Sequence, residues 1–238
     1  MKTLLSPSFK TAAVHDFASE VKFVVDLQKA EGIREWACLH LLADPHGGGL
    51  TGDAYRISSL YLDNDNFDVL RRVGSFGRAK YRIRRYGASS EVFLERKMKS
   101  RGLISKKRTI VGVDDLPRVA ELQADREWAG YWYHRRLIAR SLRPVCQISY
   151  NRTARVASNA HGAIRFTMDQ DISAVCVTGP RFDAASQPVL LNQGLAIVEL
   201  KFRKQMPEMF EQFMTEFNLQ PQPASKYRIA GAALGFGK

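Results

Sequence analysis

The stretch from residue 78 to residue 99, RAKYRIRRYGASSEVFLERKMK, alternates charged and apolar side chains along two short runs. Side chains two residues apart lie on the same face of a strand, and the intervening GASS segment at 87–90 is typical of a short turn. The stretch therefore predicts a hairpin with apolar residues on one face. The opposite face carries Arg78, Lys80, Arg82 and Arg84 on the first strand and Glu95, Lys97 and Lys99 on the second.

Such a row of cations has two interpretations. Two like charges about 7 Å apart cost a few tenths of a kcal/mol in water but about 2 kcal/mol at an effective dielectric of 20. A solvated outer face on a half-buried sheet is the ordinary explanation for one such strand. The alternative is an enclosed site for a multiply charged anion, and the rest of the chain has to decide between them.

The same pattern recurs along the chain. Glu-x-Lys occurs at Glu20/Lys22, Glu95/Lys97 and Glu199/Lys201, each on a predicted strand with an apolar opposite face, and Arg165 and Asp169 repeat the pairing of charges. Asp26 is a predicted N-cap for an amphipathic helix that ends near Asp44-Pro45. Another amphipathic helix follows Pro207.

These elements predict an α+β fold. Helices need the apolar strand faces, so the charged faces point away from them, into solvent or into an enclosed channel. An antiparallel barrel of about eight strands can hold one small ligand. We expect a lead-in at 1–17, a single domain over 18–229 and a mobile tail at 230–238. A helical region is predicted from Asp114 to about Ser141 with His134 on its wet face, and a loop over 170–193.

The amino-acid composition limits the classes of molecule that this protein is expected to bind. The net charge is +12 and the pI about 9.8, which favours a polyanion such as nucleic acid, an anionic membrane surface or a phosphate-rich small molecule. No apolar run approaches a membrane span, and Ser and Pro interrupt the N-terminal MKTLLSPSFK before a signal peptide could form. Three cysteines, Cys38, Cys146 and Cys176, without metal-type spacing predict free thiols and a cytoplasmic location.

Several motifs in order resemble the VTC (vacuolar transporter chaperone) domain, the polyphosphate polymerase branch of the triphosphate tunnel metalloenzymes. The resemblance extends from Glu20 to Tyr227 and rests on the motifs SLYLDNDN, RAKYRIRRYG, VFLERKMK, YNRTAR, IRFTMD, VELKF and SKY. It implies an antiparallel tunnel barrel of about eight strands with helices packed outside. It also implies transfer of the ATP γ-phosphate onto polyphosphate with Mn²⁺ or Mg²⁺ as cofactor.

Carried over motif by motif, the resemblance gives a candidate site. It implies Lys22 and Glu199 as catalytic residues, with Lys22 close to the reacting phosphates. The metal would be held by Glu199, with Glu95 as a second ligand. The implied phosphate-binding residues are Lys80, Arg82, Arg84, Lys97, Arg108, Arg152, Arg165, Lys201 and Lys226.

The sequence departs from the family in two respects. Phe23 stands where the family usually has a tyrosine, and the chain carries neither the SPX domain nor the membrane helices of the eukaryotic proteins. The chain is therefore not expected to span a membrane itself, which leaves room for a separate membrane partner. ATP or another triphosphate and polyphosphate are the expected ligands.

Two other functions fit the same residues. A hydrolase of the same tunnel architecture would differ only in its acceptor, water instead of a phosphate chain. A non-catalytic polyanion-binding module, for polyphosphate or nucleic acid, would use the same basic face. Nucleic acid is disfavoured because aromatic residues are not interleaved with the cations and no familiar nucleic-acid-binding motif is present.

Overall fold

A computed structural model describes residues 19–100, 103–182 and 187–237, so the predicted lead-in at 1–17 lies outside the described residues. The strands are β1 Ser19–Asp26, β2 Leu42–Ala43, β3 Ala54–Asp63, β4 Ala79–Tyr86, β5 Glu91–Ser100, β6 Leu103–Gly112, β7 Arg143–Asn159, β8 Gly162–Cys176, β9 Val189–Leu190 and β10 Leu195–Phe202. The α-helices are α1 Leu27–His40, α2 Asp68–Arg71, α3 Tyr131–Ile138, α4 Glu208–Glu216 and α5 Lys226–Ala233. Short 3-10 helices span Phe76–Arg78 and Val113–Ala120.

The strands form one antiparallel sheet that curls into a tunnel. Its order is β1-β10-β8-β7-β3-β4-β5-β6, with β2 added to β7 and β9 to β8. Within the described residues the edge strands β1 and β6 are not paired with each other, so a seam remains between them. The curl nevertheless brings distant strands together, since Lys97 Nζ of β5 lies 3.0 Å from Glu20 Oε1 of β1. The predicted antiparallel tunnel with outer helices is confirmed.

Apolar residues on the outer faces of the strands hold the helices. One core cluster packs α1 and α4 against β1, β8 and β10, and includes Phe23, Phe166, Phe210 and Phe213. The other packs α3 and α5 against the strands β3 to β7. Because successive side chains of a strand point to opposite faces, burying these residues outside turns the charged set inward.

The hairpin of β4 and β5 and the start of α1 form as predicted. Residues 87–90 connect the two strands, and Asp26 Oδ1 accepts a hydrogen bond of 2.7 Å from the backbone N–H of Lys29. The three cysteines are free thiols, as expected. No helix among the described residues has both the length and the apolar character needed to cross a membrane.

Three expectations were wrong. His134 is 1% exposed, because α3 is short and packs under the preceding segment, where the imidazole contacts the carbonyl of Glu121. The stretch 170–193 is not all loop, since β8 continues to Cys176 and β9 pairs with it. The tail from residue 230 is packed: Phe236 stacks on Phe67 with ring centroids 4.6 Å apart.

A buried carboxylate joins β3, α2 and α5. Asp63 accepts hydrogen bonds from the backbone N–H groups of Val69 and Leu70, each 2.9 Å long. It also accepts one from the hydroxyl of Tyr227 at 2.6 Å, and the Tyr227 ring stacks on Tyr61 at 5.1 Å. This arrangement fixes the first turn of α5 at the tunnel wall.

Changing Tyr227→Phe should lower the free energy of unfolding by about 1–3 kcal/mol, because a buried carboxylate loses one of its donors. Urea unfolding followed by circular dichroism measures the change. Tyr131→Phe, on a half-exposed ring of α3, is the matched control and should stay within about 0.5 kcal/mol of wild type. Equal stability of the two variants would show that Asp63 does not depend on the Tyr227 hydroxyl.

Candidate active site in the tunnel

The inward faces of seven strands and the start of α5 line the tunnel with charge. The basic residues outnumber the acidic ones, which lowers the cost of bringing a polyanion in. The basic set is Lys22, Lys80, Arg82, Arg84, Lys97, Lys106, Arg108, Arg152, Arg165, Lys201 and Lys226. The acidic set is Glu20, Glu95, Asp169 and Glu199.

The first group of charges joins β1, β10 and β5. Lys22 Nζ lies 3.6 Å from Glu20 Oε1 and 3.8 Å from Glu199 Oε2, so it stands between the two carboxylates. Lys201 Nζ contacts the other oxygen of Glu199 at 2.9 Å. Register explains the grouping, since Lys22 is directly opposite Glu199, and Glu20 directly opposite Lys201.

The charges of this first group shift the pKa values of its members, Glu199 and Lys201. Burial alone would raise the pKa of Glu199, but Lys201 and Lys22 outweigh it and hold that pKa well below its usual range. Burial lowers the pKa of Lys201, and the neighbouring guanidinium of Arg152 lowers it further. Glu199 therefore stays ionised. Of the two lysines that contact it, Lys201 has a lowered pKa and Lys22 a raised one, so Lys201 loses its proton more easily than Lys22.

A second group crosses the β4–β5–β6 part of the wall. Glu95 Oε2 accepts a hydrogen bond of 2.5 Å from Arg82 Nε, and its Oε1 lies 3.4 Å from Arg108 Nε. Burial would raise the pKa of Glu95, but Arg82, Arg84 and Arg108 lower it to about 2. Both carboxylate oxygens are thus occupied by guanidinium groups.

A third group connects the sheet with α5. Arg152 of β7 binds Asp169 of β8 through two hydrogen bonds of 2.6 and 2.7 Å, and Lys226 Nζ reaches the same carboxylate at 2.5 Å. Burial would raise the pKa of Asp169, but Arg152 and Lys226 lower it to about 2. Tyr227 fixes the start of α5 through its hydrogen bond to Asp63, and the preceding residue, Lys226, therefore lies in the tunnel.

Other cations have neutral partners. Arg84 is 5% exposed, and it donates hydrogen bonds to the hydroxyls of Ser59 at 3.2 Å and Tyr150 at 3.1 Å. Lys80 Nζ donates to Ser225 Oγ at 3.1 Å. Burial lowers the pKa of Lys80, and so do Arg72, Lys22 and Lys97. The hydroxyl partners carry no charge, so Arg84 and Lys80 can bind an anionic ligand without first losing one of these contacts to a carboxylate.

Lys106, on the edge strand β6, was not predicted as a site residue. Desolvation together with repulsion from Lys201 and Lys97 lowers its pKa to about 8. Lys201 lies on β10, far from β6 in strand order, so this repulsion acts across the seam. Only the curl of the sheet creates that proximity.

Two arginines have carboxylate partners outside the tunnel strands. Arg165 Nη2 lies 2.6 Å from Asp44 and donates to the hydroxyl of Tyr55 at 2.9 Å. Arg155, on the outer face of β7, forms a buried pair with Asp53 at 2.7 Å. The Arg155 pair holds the loop after β2 and takes no part in the tunnel.

Every residue named from the sequence as a candidate site residue lies on the inward face or at the start of α5. Sequence reasoning missed Glu20, Asp169, Asp44 and Lys106 as members of these groups. The first two were visible as the carboxylates of Glu-x-Lys and Arg-x-Thr-x-Asp patterns. Lys106 shares a strand face with Arg108, two residues later, so period-two alternation offered a signal for it, whereas Asp44 gave none because its partner Arg165 is distant in sequence.

The donor set for a metal ion is small. Within the described residues, no group of three or more His, Cys, Asp or Glu side chains is arranged to hold one. Glu20 and Glu199 lie on either side of Lys22. Mg²⁺ is commonly bound by one or two carboxylates together with substrate phosphates and water, so this pair would hold a hard divalent cation that arrives with its ligand once contacts with Lys22 and Lys201 are exchanged for it.

Solved structures share the fold at low sequence identity. A proposed adenylate cyclase from Bacillus halodurans is 13% identical, with a TM-score of 0.52, over 87% of this chain and 92% of that one. A proposed adenylyl cyclase from Hippeastrum, described as having dominant triphosphatase activity, is 14% identical, with a TM-score of 0.50, over 90% and 95%. A protein from Pyrococcus horikoshii OT3 is 14% identical, with a TM-score of 0.51, over 91% and 98%.

Sequence comparison gives the family directly. No curated protein sequence matches the chain. The family model of the VTC domain matches residues 17–235, which is nearly the full length and includes every strand of the tunnel. The chain belongs to the VTC domain family.

Proposed function

We propose that this protein is a metal-dependent phosphotransferase that transfers the terminal phosphate of ATP to a growing polyphosphate chain inside the tunnel. The observation that carries the proposal is the set of fixed cations with neutral partners, Arg84 and Lys80, beside three charge groups. Burial and neighbouring cations lower the pKa of Lys80, so its charge is costly in the empty tunnel, and a polyanionic ligand would interact favourably with both cations.

The proposed chemistry is positioning and charge neutralisation. Phosphoryl transfer needs little covalent help from the protein. Arg82, Arg84, Arg152 and Lys226, which come from three sides of the tunnel, would hold successive phosphate groups of a linear chain. Charge-assisted hydrogen bonds from guanidinium groups suit phosphate oxygens because they are bidentate and directional.

Lys22 has a particular place in this scheme. Its ammonium group lies between Glu20 and Glu199, so it stands next to the proposed metal position. There it would neutralise charge that develops on the transferred group. Glu199 and Glu20 would hold Mn²⁺ or Mg²⁺, which supplies Lewis-acid polarisation of the phosphoryl oxygens. Glu95, which the family resemblance gave as the second ligand, would keep Arg82 and Arg108 oriented.

A triphosphate or polyphosphate hydrolase is the second candidate function. The fold is shared with the Hippeastrum protein described as a triphosphatase, and the same cations would bind the same substrate. The two reactions differ in whether water or a phosphate chain accepts the transferred group. We propose a cytoplasmic location, with any transport across a membrane supplied by a separate membrane partner.

Purified protein incubated with ATP and Mn²⁺ or Mg²⁺ tests the function, with free phosphate and polyphosphate followed together. Polyphosphate should accumulate, and Glu199→Gln should reduce metal-dependent turnover to background, because the amide keeps the shape but loses the charge that holds a hard cation. Glu216→Gln, on the exposed side of α4, is the control and should keep full turnover. Phosphate release without polyphosphate would establish the hydrolase instead.

The contribution of Arg84 to stability and to binding can be measured with Arg84→Met. The free energy of unfolding should change little, because repulsion from Arg82 and desolvation of a guanidinium are removed together with the attraction of Glu95 and the hydrogen bonds to Ser59 and Tyr150. Tripolyphosphate binding should weaken by about 1.5–3 kcal/mol, the range for a hydrogen bond to a charged group.

The matched control is Arg155→Met. Removing this arginine leaves Asp53 buried without its partner, so unfolding should become easier by about 3–5 kcal/mol while tripolyphosphate affinity is unchanged. Thermal melts and titration calorimetry on both variants separate the two roles. Equal affinity of wild type and Arg84→Met would remove Arg84 from the proposed site.

The lowered pKa of Lys106 predicts proton uptake on binding. A bound phosphate favours the ammonium form and raises that pKa from about 8, so tripolyphosphate should bring a proton with it at about pH 8.5 and none at about pH 6. Calorimetry in buffers of different ionisation enthalpy counts the protons. Lys106→Met should reduce the uptake, with any remainder from Lys80 and Lys201, whose pKa values are also lowered, whereas Lys107→Met, on the other face of β6, should retain it in full.

A further inference from the structure

One end of the tunnel carries aromatic rings beside its cations. Where β4 turns into β5, the ring centroids of Tyr55 and Tyr86 are 5.7 Å apart and those of Tyr86 and Phe93 are 5.3 Å apart. Ile110, the register partner of Phe93 on β6, is 45% exposed. We refer to Tyr55, Tyr86, Phe93 and Ile110 as the aromatic ledge.

The ledge lies on the inward face, where Tyr55 and Tyr86 pack against the edge of the core. On β5 the outer-face neighbours of Phe93, Val92 and Leu94, are fully buried against the helices. Phe93 itself is half-buried and shares its face with Glu95. A ring at this position adds little to the core, so its packing does not explain its place.

Arg108 connects the ledge with the charged part of the tunnel. Its guanidinium carbon lies 3.5 Å from the centroid of the Phe93 ring, its Nη2 lies 3.4 Å from the hydroxyl of Tyr86, and its Nε lies 3.4 Å from Glu95. A guanidinium group over a ring is a stacking surface for another planar group.

Along β5 and β6 the inward side chains change from charged to apolar, whereas β4 keeps a cation in every row. Across β4, β5 and β6 the first inward row is Lys80, Lys97 and Lys106, the next is Arg82, Glu95 and Arg108, and the last is Arg84, Phe93 and Ile110. The first and last rows are four residues apart, about 13 Å along the strands. A matching ligand has a chain of negative charges at one end and a planar, weakly polar group at the other.

We infer that the aromatic ledge binds the base of a nucleoside triphosphate donor, which stacks on Phe93 and Arg108 while its phosphates lie among the cations. This inference rests on the proposed function, because it takes the tunnel to be the triphosphate site. It adds a recognition element that inorganic tripolyphosphate cannot use. The donor would thus be distinguished from the polyphosphate chain by its base.

Titration calorimetry with Mg²⁺ compares a non-hydrolysable ATP analogue with tripolyphosphate on wild type and Phe93→Leu. Leucine keeps an apolar side chain but removes the planar ring. Loss of base stacking should weaken binding of the ATP analogue by about 5- to 50-fold and change tripolyphosphate affinity by less than about twofold. Phe217→Leu, a matched variant on the helical side, should leave both affinities unchanged.

Fluorescence of etheno-ATP gives a second readout that needs only wild type. Stacking of the modified base on Phe93 and Arg108 should quench its emission on binding, and excess tripolyphosphate should reverse the quench. Two results would overturn the ledge assignment while the tunnel function stands. One is unquenched emission at saturation, and the other is an equal loss of affinity for the ATP analogue and for tripolyphosphate in Phe93→Leu. If wild type binds neither ligand, the proposed function itself fails.

Discussion

The structure depends on how the repulsion among the tunnel cations is offset. Among the described residues, eleven basic side chains share the inward face of the sheet with four carboxylates, and three of those carboxylates, Glu95, Asp169 and Glu199, have strongly lowered pKa values. Each sits between two cations and so screens them from one another. The remaining repulsion is tolerated because two apolar clusters on the outside of the sheet hold its curvature.

The carboxylates have a second role, which is to fix the geometry of the cations. Long basic side chains lose considerable rotamer freedom when they bind a ligand. Arg152 is held by two hydrogen bonds to Asp169, and Arg82 is held by Glu95. These guanidinium groups are thus placed before a ligand arrives, which reduces the entropy that binding has to overcome.

The α5 helix couples the fold to the site. Asp63 binds the first turns of α2 and the hydroxyl of Tyr227, and the residue before Tyr227 is Lys226, which completes the Asp169 group. Ser225, one residue earlier, contacts Lys80. Three consecutive residues, 225–227, therefore connect the start of α5 to three different strands of the tunnel wall, β4, β8 and β3.

Local sequence patterns were enough to predict the strands with charge on one face, the capped helix after Asp26 and the family. Period-two alternation is a local property, so the β4–β5 hairpin and the inward set of cations followed from it. Tertiary structure decided what local pattern does not contain: which carboxylate pairs with which cation, the role of Asp44, and the burial of His134. It also decided the proximity of Lys106 to Lys201, which belong to opposite ends of the strand order and meet because the sheet curls. Coulomb interactions depend on distance in space, so these pairings required the folded sheet.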